Sequence, residues 1–280
     1  MIPLRPLGAT GLLISPFGFG VSGAHGSAVT PERQTRALVE AAYRRGVRLF
    51  DTAPFYGLAQ ARLGRALAAL GAGRETVVIS KAGTVRRRGR LRKDFSPQGL
   101  HAAVERSLNE LGRPRLDILL LHGPPEGGLP GESWEALRAL QASGRVGACG
   151  VCGRGEEIAA AAANPLIAVV QAPVWSPWAA WCARRGLPLL GIEALAGVEA
   201  RRPLLRLRSP ADLWLLARKA KRAVRGDGAQ AGASSREPAQ ALLRRALAAP
   251  GVCAVVTTTT RLEHLHQNLA VLADHADSRA

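Results

Sequence analysis

Residues 30–51 read Thr-Pro-Glu-Arg-Gln-Thr-Arg-Ala-Leu-Val-Glu-Ala-Ala-Tyr-Arg-Arg-Gly-Val-Arg-Leu-Phe-Asp. Thr30 is suited to an N-cap and Pro31 to the first helical position, where the missing N–H has no intrahelical partner to lose. The spacing predicts a helix over 31–45 that Gly46 stops. Val47-Arg-Leu-Phe-Asp51 follows as a short, mostly apolar run and reads as a strand. A helix leading into a strand is the unit from which the rest of the chain can be read.

Outward from this unit, similar strand-like runs stand at 17–20, 47–51, 77–81, 117–122, 146–151, 167–171, 187–192 and 252–257. Longer segments of helical period separate most of them. One, at 96–111, opens Ser-Pro and stops at Gly112; another, at 133–142, stops near Gly144. Strands apolar at nearly every position are buried on both faces, as in parallel sheets covered by helices. Strict alternation gives an α/β class, and eight units suit a (β/α)8 TIM barrel of ~250 residues. No G-x-G-x-x-G joins a strand to a helix, against a doubly wound dinucleotide fold. The expectation is one barrel domain over residues 1–280, with an N-terminal β-hairpin within 3–15 across the barrel bottom. The long segment 199–238 is expected to hold a loop, an amphipathic helix at 211–224 and a mobile Gly/Ala/Ser stretch at 226–235.

Composition narrows the class. Of 280 residues, 47% are hydrophobic, too many for a disordered chain, and no run reaches the ~18 apolar residues of a membrane span. Pro3, Pro6, Gly8, Gly11 and Pro16 break up the N-terminus, so a cytoplasmic protein without a signal peptide is expected. Cys149 and Cys152 form a C-x-x-C, but on a strand they face opposite ways about 10 Å apart, so neither a disulfide nor a metal site is expected. The formal charge is +17, and all but four of the 38 basic residues are arginine. Clusters stand at 86–93 and 218–225. With 4% aromatic residues and no stacking platform among the arginines, a nucleic-acid partner is not expected.

In a parallel barrel the chemistry sits at the C-terminal ends of the strands. One run ends in Asp51 and its loop carries Tyr56; the next two end in Lys81 and His122. Singly, Asp51 suits a cap, His122 a structural imidazole and Tyr56 loop packing. Lys81 stands out as one of four lysines, where an adjustable point charge distinguishes lysine from arginine. Together the four suit proton donation to a carbonyl that receives a hydride. A phenol is a weak acid at neutrality, an ammonium beside it pulls its pKa down, a carboxylate holds the lysine charged, and an imidazole orients the carbonyl oxygen. No side chain supplies a hydride, so a cofactor must.

With these residues in hand, the chain resembles the aldo-keto reductases over nearly its whole length. The resemblance rests on Arg5-Pro-Leu-Gly-Ala-Thr-Gly-Leu-Leu-Ile-Ser-Pro-Phe-Gly-Phe-Gly, Gly46-Val-Arg-Leu-Phe-Asp-Thr-Ala-Pro-Phe-Tyr-Gly, Val78-Ile-Ser-Lys, Leu116-Asp-Ile-Leu-Leu-Leu-His-Gly-Pro and Leu262-Glu-His-Leu-His-Gln-Asn-Leu. It implies an NAD(P)H-dependent oxidoreductase reducing an aldehyde, ketone or imine. By it Tyr56 is the proton donor, Lys81 and Asp51 tune it, and His122 orients the substrate. Gln171 would meet the nicotinamide carboxamide; Thr259 and Asn268 would meet the adenosine end. NADP is the implied cofactor, with NAD possible, and the partner is a small carbonyl substrate.

The chain departs from the family pattern in places. Cys152-Gly153 replaces Ser-Asn, Ile192 replaces a stacking tyrosine, and Ala59-Gln60 replaces Ser-Glu. Thr258 and His264 replace the lysine and arginine used for a 2′-phosphate, with Arg261 close by as a substitute. These departures leave two alternatives open: a family member diverted to lyase, dehydratase or isomerase chemistry, or a cofactor-binding regulatory subunit. The expected pocket is open and shallow, walled by Phe55, Trp175 and one of Trp178 and Trp181. A monomer or weak oligomer is expected.

Overall fold

The computed structural model describes residues 2–88, 90–196 and 237–277. The helix expected at 211–224, the stretch at 226–235 and the basic cluster at 218–225 lie outside the described residues. Eight parallel strands close into a barrel in the order β3 (Phe17–Gly20), β4 (Leu49–Asp51), β5 (Val77–Ala82), β8 (Leu116–His122), β9 (Val146–Cys152), β10 (Ile167–Pro173), β11 (Leu189–Ile192) and β12 (Val252–Thr257), with β12 returning to β3. All eight fall where the sequence reading puts them, within two residues at either end. Helices α1 (Glu32–Arg44), α2 (Ala59–Ala69), α3 (Pro97–Leu111), α4 (Gly131–Ala142), α5 (Glu157–Ala162), α6 (Trp178–Arg185), α7 (Ala239–Ala248) and α8 (Leu262–Asp277) follow the strands.

Strand alternation sorts side chains into two cores. Leu49, Ile79, Ile118, Leu120, Val169, Leu190, Ala254 and Val256 fill the barrel. Phe50, Val78, Leu119, Leu121, Val170 and Val255 face outward against the helices. Cys149 joins the outer core and Cys152 the inner one, on opposite faces as the strand reading required. The hairpin of β1 (Arg5–Pro6) and β2 (Leu13–Ile14) puts Leu7 and Ile14 into the inner core. It lies at the N-terminal ends of the strands: Ser15 Oγ accepts from the Arg48 N–H at 2.9 Å, just before β4. The floor is therefore plugged and the opposite end is left for chemistry.

One local expectation is corrected. Helix α1 starts at Glu32 with Pro31, not Thr30, in the N-cap position, and no side chain caps it; Thr30 Oγ1 is buried without a hydrogen-bond partner. An extended ψ of 145° at Pro31 keeps that residue outside the helix. The stretch 86–93, marked in the sequence only as a basic cluster, forms a hairpin of β6 (Thr84–Arg87) and β7 (Arg90–Lys93). By contrast α3 begins as the Ser-Pro signal implied, with the Ser96 side chain accepting from the Gly99 N–H.

Candidate active site

Asp51, at the end of β4, and Lys81, near the end of β5, meet inside the barrel mouth. Lys81 Nζ donates to Asp51 Oδ1 at 2.5 Å and to the Thr52 carbonyl at 3.2 Å. The same Asp51 oxygen accepts from Gln171 Nε2 at 3.1 Å, across from β10. All three side chains are buried. A buried charge persists only when paired and hydrogen-bonded, and burial does oppose the Lys81 charge. Asp51 outweighs it, helped by Tyr56 and Cys152, and holds the ammonium above its ordinary range.

Tyr56 lies over this pair, with Lys81 Nζ 5.4 Å from its ring centroid. Its loop is fixed by a close backbone approach. Leu58 N–H donates to the Gly26 carbonyl at 3.0 Å, and a Cβ on Gly26 would stand 1.6 Å from the Tyr56 carbonyl oxygen, so only glycine fits. Arg62 braces the other side of that approach, donating to the His25 and Ser27 carbonyls. The expected lowering of the phenol pKa is present but outweighed. Burial pushes Tyr56 up to about 12, against the opposing charge and hydrogen bond of Lys81.

His122 completes the group at the end of β8, and Phe55 stacks between it and Tyr56. The Phe55 centroid is 4.8 Å from His122 and 4.5 Å from Tyr56. His122 is held down to about 3 by burial first and then by Lys81, Lys93 and Arg154, so it is neutral at pH 7. Its Nδ1 meets Thr84 Oγ1 at 3.0 Å, and Lys93 Nζ donates to its carbonyl at 2.5 Å. Thr84 and Lys93 are the site neighbours that the sequence reading did not single out. For Lys93 the signal existed: it is another of the four lysines, the same property that marked Lys81.

The remaining candidates divide. Cys152 pairs with His122 in the β8–β9 register and faces the interior, its thiol pushed up to about 11 by burial. Ile192 ends β11, packed against the same inner core. A Cβ on Gly153 would lie 2.5 Å from Glu157 Oε1, which accepts from the Arg154 and Gly155 N–H groups, so that carboxylate would have to shift. Gln60 is buried and bridges Ser80 and Glu110, a structural role. Thr258 Oγ1 meets Ser22 Oγ at 3.2 Å, and the Thr259 carbonyl faces His25 Nε2 at 2.9 Å, so the turn after β12 is tied to β3 and its loop. Arg261 immediately precedes α8, His264 lies in its first turn, and Asn268 is buried further along it.

The tryptophans part company. Trp175 is 41% exposed, with Nε1 donating to the Ala194 carbonyl and the Arg245 guanidinium 4.4 Å above its ring. Trp178 is buried in the outer core and Trp181 packs edge-on against it. Helix α6 turns both toward the barrel wall because its buried face runs Trp178, Ala179 and Cys182.

Residues 16–278 match the model of the aldo/keto reductase family. The chain belongs to that family. It is 36% identical over 146 residues to an L-galactose dehydrogenase of Arabidopsis thaliana, a match covering 50% of this chain and 44% of that one. It is 32% identical over 161 residues to an NADH-specific methylglyoxal reductase of Escherichia coli, covering 50% and 49%. These matches therefore span about half the length of the curated relatives. Among solved structures, an aldo-keto reductase from Klebsiella pneumoniae in complex with NADPH aligns over 98% of this chain and 90% of its own, with a TM-score of 0.71 at 23% identity. The holo form of an aldo-keto reductase from Bacillus halodurans aligns over 97% and 91%, with a TM-score of 0.75 at 22% identity. At such identities the structural likeness speaks for the fold. Among the described residues no helix is long and apolar enough to cross a membrane.

Proposed function

We propose that the protein is an NAD(P)H-dependent reductase of a carbonyl or imine, with Tyr56 as the proton donor. The observation that carries this reading is the buried Lys81–Asp51 pair, 2.5 Å apart, beneath a phenol and a neutral imidazole at one strand-end rim. A charge pair sealed in a barrel mouth costs desolvation, and here it sits where it can act on Tyr56.

The donor set suits a dinucleotide. Gln171 offers an amide within the mouth. At the other end, the turn 258–261 leads into the N-terminus of α8, and the dipole at a helix N-terminus favours a phosphate. The one carboxylate of that first turn, Glu263, is turned along the helix to accept from Gln267 Nε2. When bound, the reduced cofactor supplies the hydride. The protein's own residues do the rest. His122, neutral, donates a hydrogen bond to the carbonyl oxygen from Nε2 and aims it at Tyr56. Tyr56 then gives its hydroxyl proton to that oxygen as it becomes an alkoxide. The Lys81 ammonium stabilises the phenolate left behind, and Asp51 and Gln171 hold Lys81 in place. Phe55 keeps the two rings apart and shields them from water.

Loss of NADPH absorbance over a panel of aldehydes and ketones tests the reading. Tyr56→Phe is expected to lower the rate by roughly 10²–10⁴-fold with cofactor affinity intact. Absence of NADPH and NADH binding, or an unchanged rate in the variant, would sink it. One feature favours a second reading: Cys152 and Ile192 offer the nicotinamide no polar or aromatic clamp. Product formed with no net change in NADPH would select non-redox chemistry instead.

A further inference from the structure

The hairpin of β6 and β7 stands at the rim, between β5 and α3. Six of its residues in the stretch 86–93 are arginine or lysine, eight positions in all, whereas the chain as a whole has 38 in 280. The excess is local and is not explained by a generally basic surface. The register pairs Thr84 with Lys93 and Val85 with Arg92. Alternation then gives the hairpin two faces. Thr84 and Lys93 turn to His122, and Lys93 Nζ also donates to Thr84 Oγ1 at 3.1 Å. Val85, Arg90 and Arg92, with Arg88 from the turn, line a cavity of about 630 Å³ that Lys93 and Asp94 complete.

The cavity holds four cationic side chains against one carboxylate, and that carboxylate already accepts from Ser96 Oγ at 2.7 Å at the start of α3. Like charges brought this close are favourable when an anion lies between them, and guanidinium pairs match phosphate and carboxylate geometry. A second cavity, of about 430 Å³, shares Val85 and Asp94 with the first and reaches Phe55 and Thr84, which touch the catalytic rings. The two cavities thus share a wall, and the second is walled in part by Phe55 and Thr84, the neighbours of His122. The position also separates this charge from the cofactor's phosphates. Around the ring β5 is three strands from β12, after which the turn 258–261 and α8 follow.

We propose that the Arg90–Arg92 face of this hairpin is a subsite for an anionic group, phosphate or carboxylate, borne by the substrate whose carbonyl reaches Tyr56 and His122. The inference rests on the reductase reading above and names its substrate class. Lys93 anchors the hairpin to His122, while Arg88, Arg90 and Arg92 hold the anion. An extended substrate with its carbonyl at Tyr56 and His122 carries its charge past Thr84 to the arginines.

The experiment compares butanal with 4-oxobutanoate, and glyceraldehyde with glyceraldehyde 3-phosphate, in the wild-type protein and in the Arg90→Gln/Arg92→Gln variant at low and high salt. The expected result is an anion preference in kcat/KM of roughly tenfold to a hundredfold, carried by KM. It shrinks in high salt and collapses in the variant, while the neutral aldehydes are reduced at unchanged rates. The phosphate and carboxylate pairs show which group the subsite takes. Equal use of neutral and charged partners by the wild type, or a preference that survives in the variant, overturns the proposal. If every aldehyde is refused while NADPH binds, the reductase reading has failed. The subsite is then read directly by titrating inorganic phosphate: weaker binding in the variant sustains it, and equal or absent binding overturns it. Single-stranded RNA bound more tightly than any of these anions through the same arginines overturns it in favour of a nucleic-acid surface.

Discussion

Thr84 Oγ1 lies 3.0 Å from His122 Nδ1, a contact in which either group can donate, so the imidazole tautomer turns on the Thr84 hydrogen. The threonine hydroxyl has one hydrogen to give. Lys93, which can only donate, points at Thr84 Oγ1 from 3.1 Å and also donates to the His122 carbonyl at 2.5 Å. The His122 carbonyl also lies within reach of the Thr84 hydroxyl, at 3.3 Å, so its single hydrogen can serve either acceptor. Given to Nδ1, the shorter contact, that hydrogen leaves the ring proton on Nε2, the tautomer needed to hydrogen-bond a carbonyl oxygen. The ¹⁵N spectrum of His122 at pH 7 is expected to show a neutral ring protonated at Nε2. Thr84→Val is expected to mix the tautomers and lower kcat about tenfold or more while NADPH affinity holds. A ring protonated at Nδ1 in the wild-type protein would refute the assignment.

The Lys81–Asp51 pair makes a stability prediction separable from catalysis. Removing one partner of a buried ion pair leaves the other charge uncompensated, at a cost of roughly 3–5 kcal/mol. Asp51→Asn and Lys81→Met are each expected to lose about that much in urea unfolding, and both should be inactive as reductases. Asp51→Asn combined with Lys81→Met removes both charges, so its loss is expected to fall well short of the sum of the single losses. Strict additivity in this cycle would mean that the two groups do not depend on each other.

The barrel was legible because its strands are buried on both faces, and a run such as Leu116-Asp-Ile-Leu-Leu-Leu-His has no other stable use. The strand ends were less so, and the cause is local. The sequence reading starts one strand at Val47, but the Val47 N–H donates to the Ala42 carbonyl and closes α1, so β4 begins at Leu49. Leu187 closes α6 through Cys182 in the same way, and Pro188 has no N–H to give, so β11 begins at Leu189. The β6–β7 hairpin was hidden because its two short strands are rich in cationic residues and carry only Val85 and Leu91 as apolar positions. Its anchor, His122, lies 29 residues from Lys93, beyond the reach of any local signal. Asp51, Tyr56, Lys81 and His122 could be picked out because strand ends in a parallel barrel converge. The opposing effects of burial and Lys81 on the Tyr56 phenol depend on solvent exclusion, which spacing does not encode.

Gly26 gives a test of how tightly the Tyr56 loop must be held. A Cβ there would overlap the Tyr56 carbonyl, which is backbone and cannot swing aside. Gly26→Ala must push the loop outward, and a displacement of about 1 Å in a reacting group costs on the order of 10²-fold in rate. The variant is expected to bind NADPH as before, since Gln171 and the turn after β12 are untouched, but to show kcat reduced by about that factor. A kcat equal to wild type in a folded Gly26→Ala protein would mean that the loop finds its position without this contact.

Acid should destabilise the fold through its buried imidazoles. His25 Nδ1 meets Thr35 Oγ1 at 3.0 Å and its Nε2 faces the Thr259 carbonyl at 2.9 Å, so the ring ties α1 to the turn that follows β12. Burial, aided by the Arg62 charge and opposed by the Thr259 carbonyl, lowers it from the ordinary 6.5 to about 4. The sign follows from proton uptake. Between those values the unfolded chain binds a proton at this residue and the folded one does not, so stability is complete above about pH 6.5 and falls as pH drops toward 4. The loss attributable to His25 is about 3 kcal/mol across that window, and His122 adds a term of the same sign reaching lower, toward about 3. Urea unfolding at pH 7, 5.5 and 4.5 should show this decline. His25→Gln should be less stable at pH 7 for want of the imidazole's contacts, yet its stability should fall less steeply with acid by close to one proton. An identical slope in wild type and variant would remove His25 from the acid response.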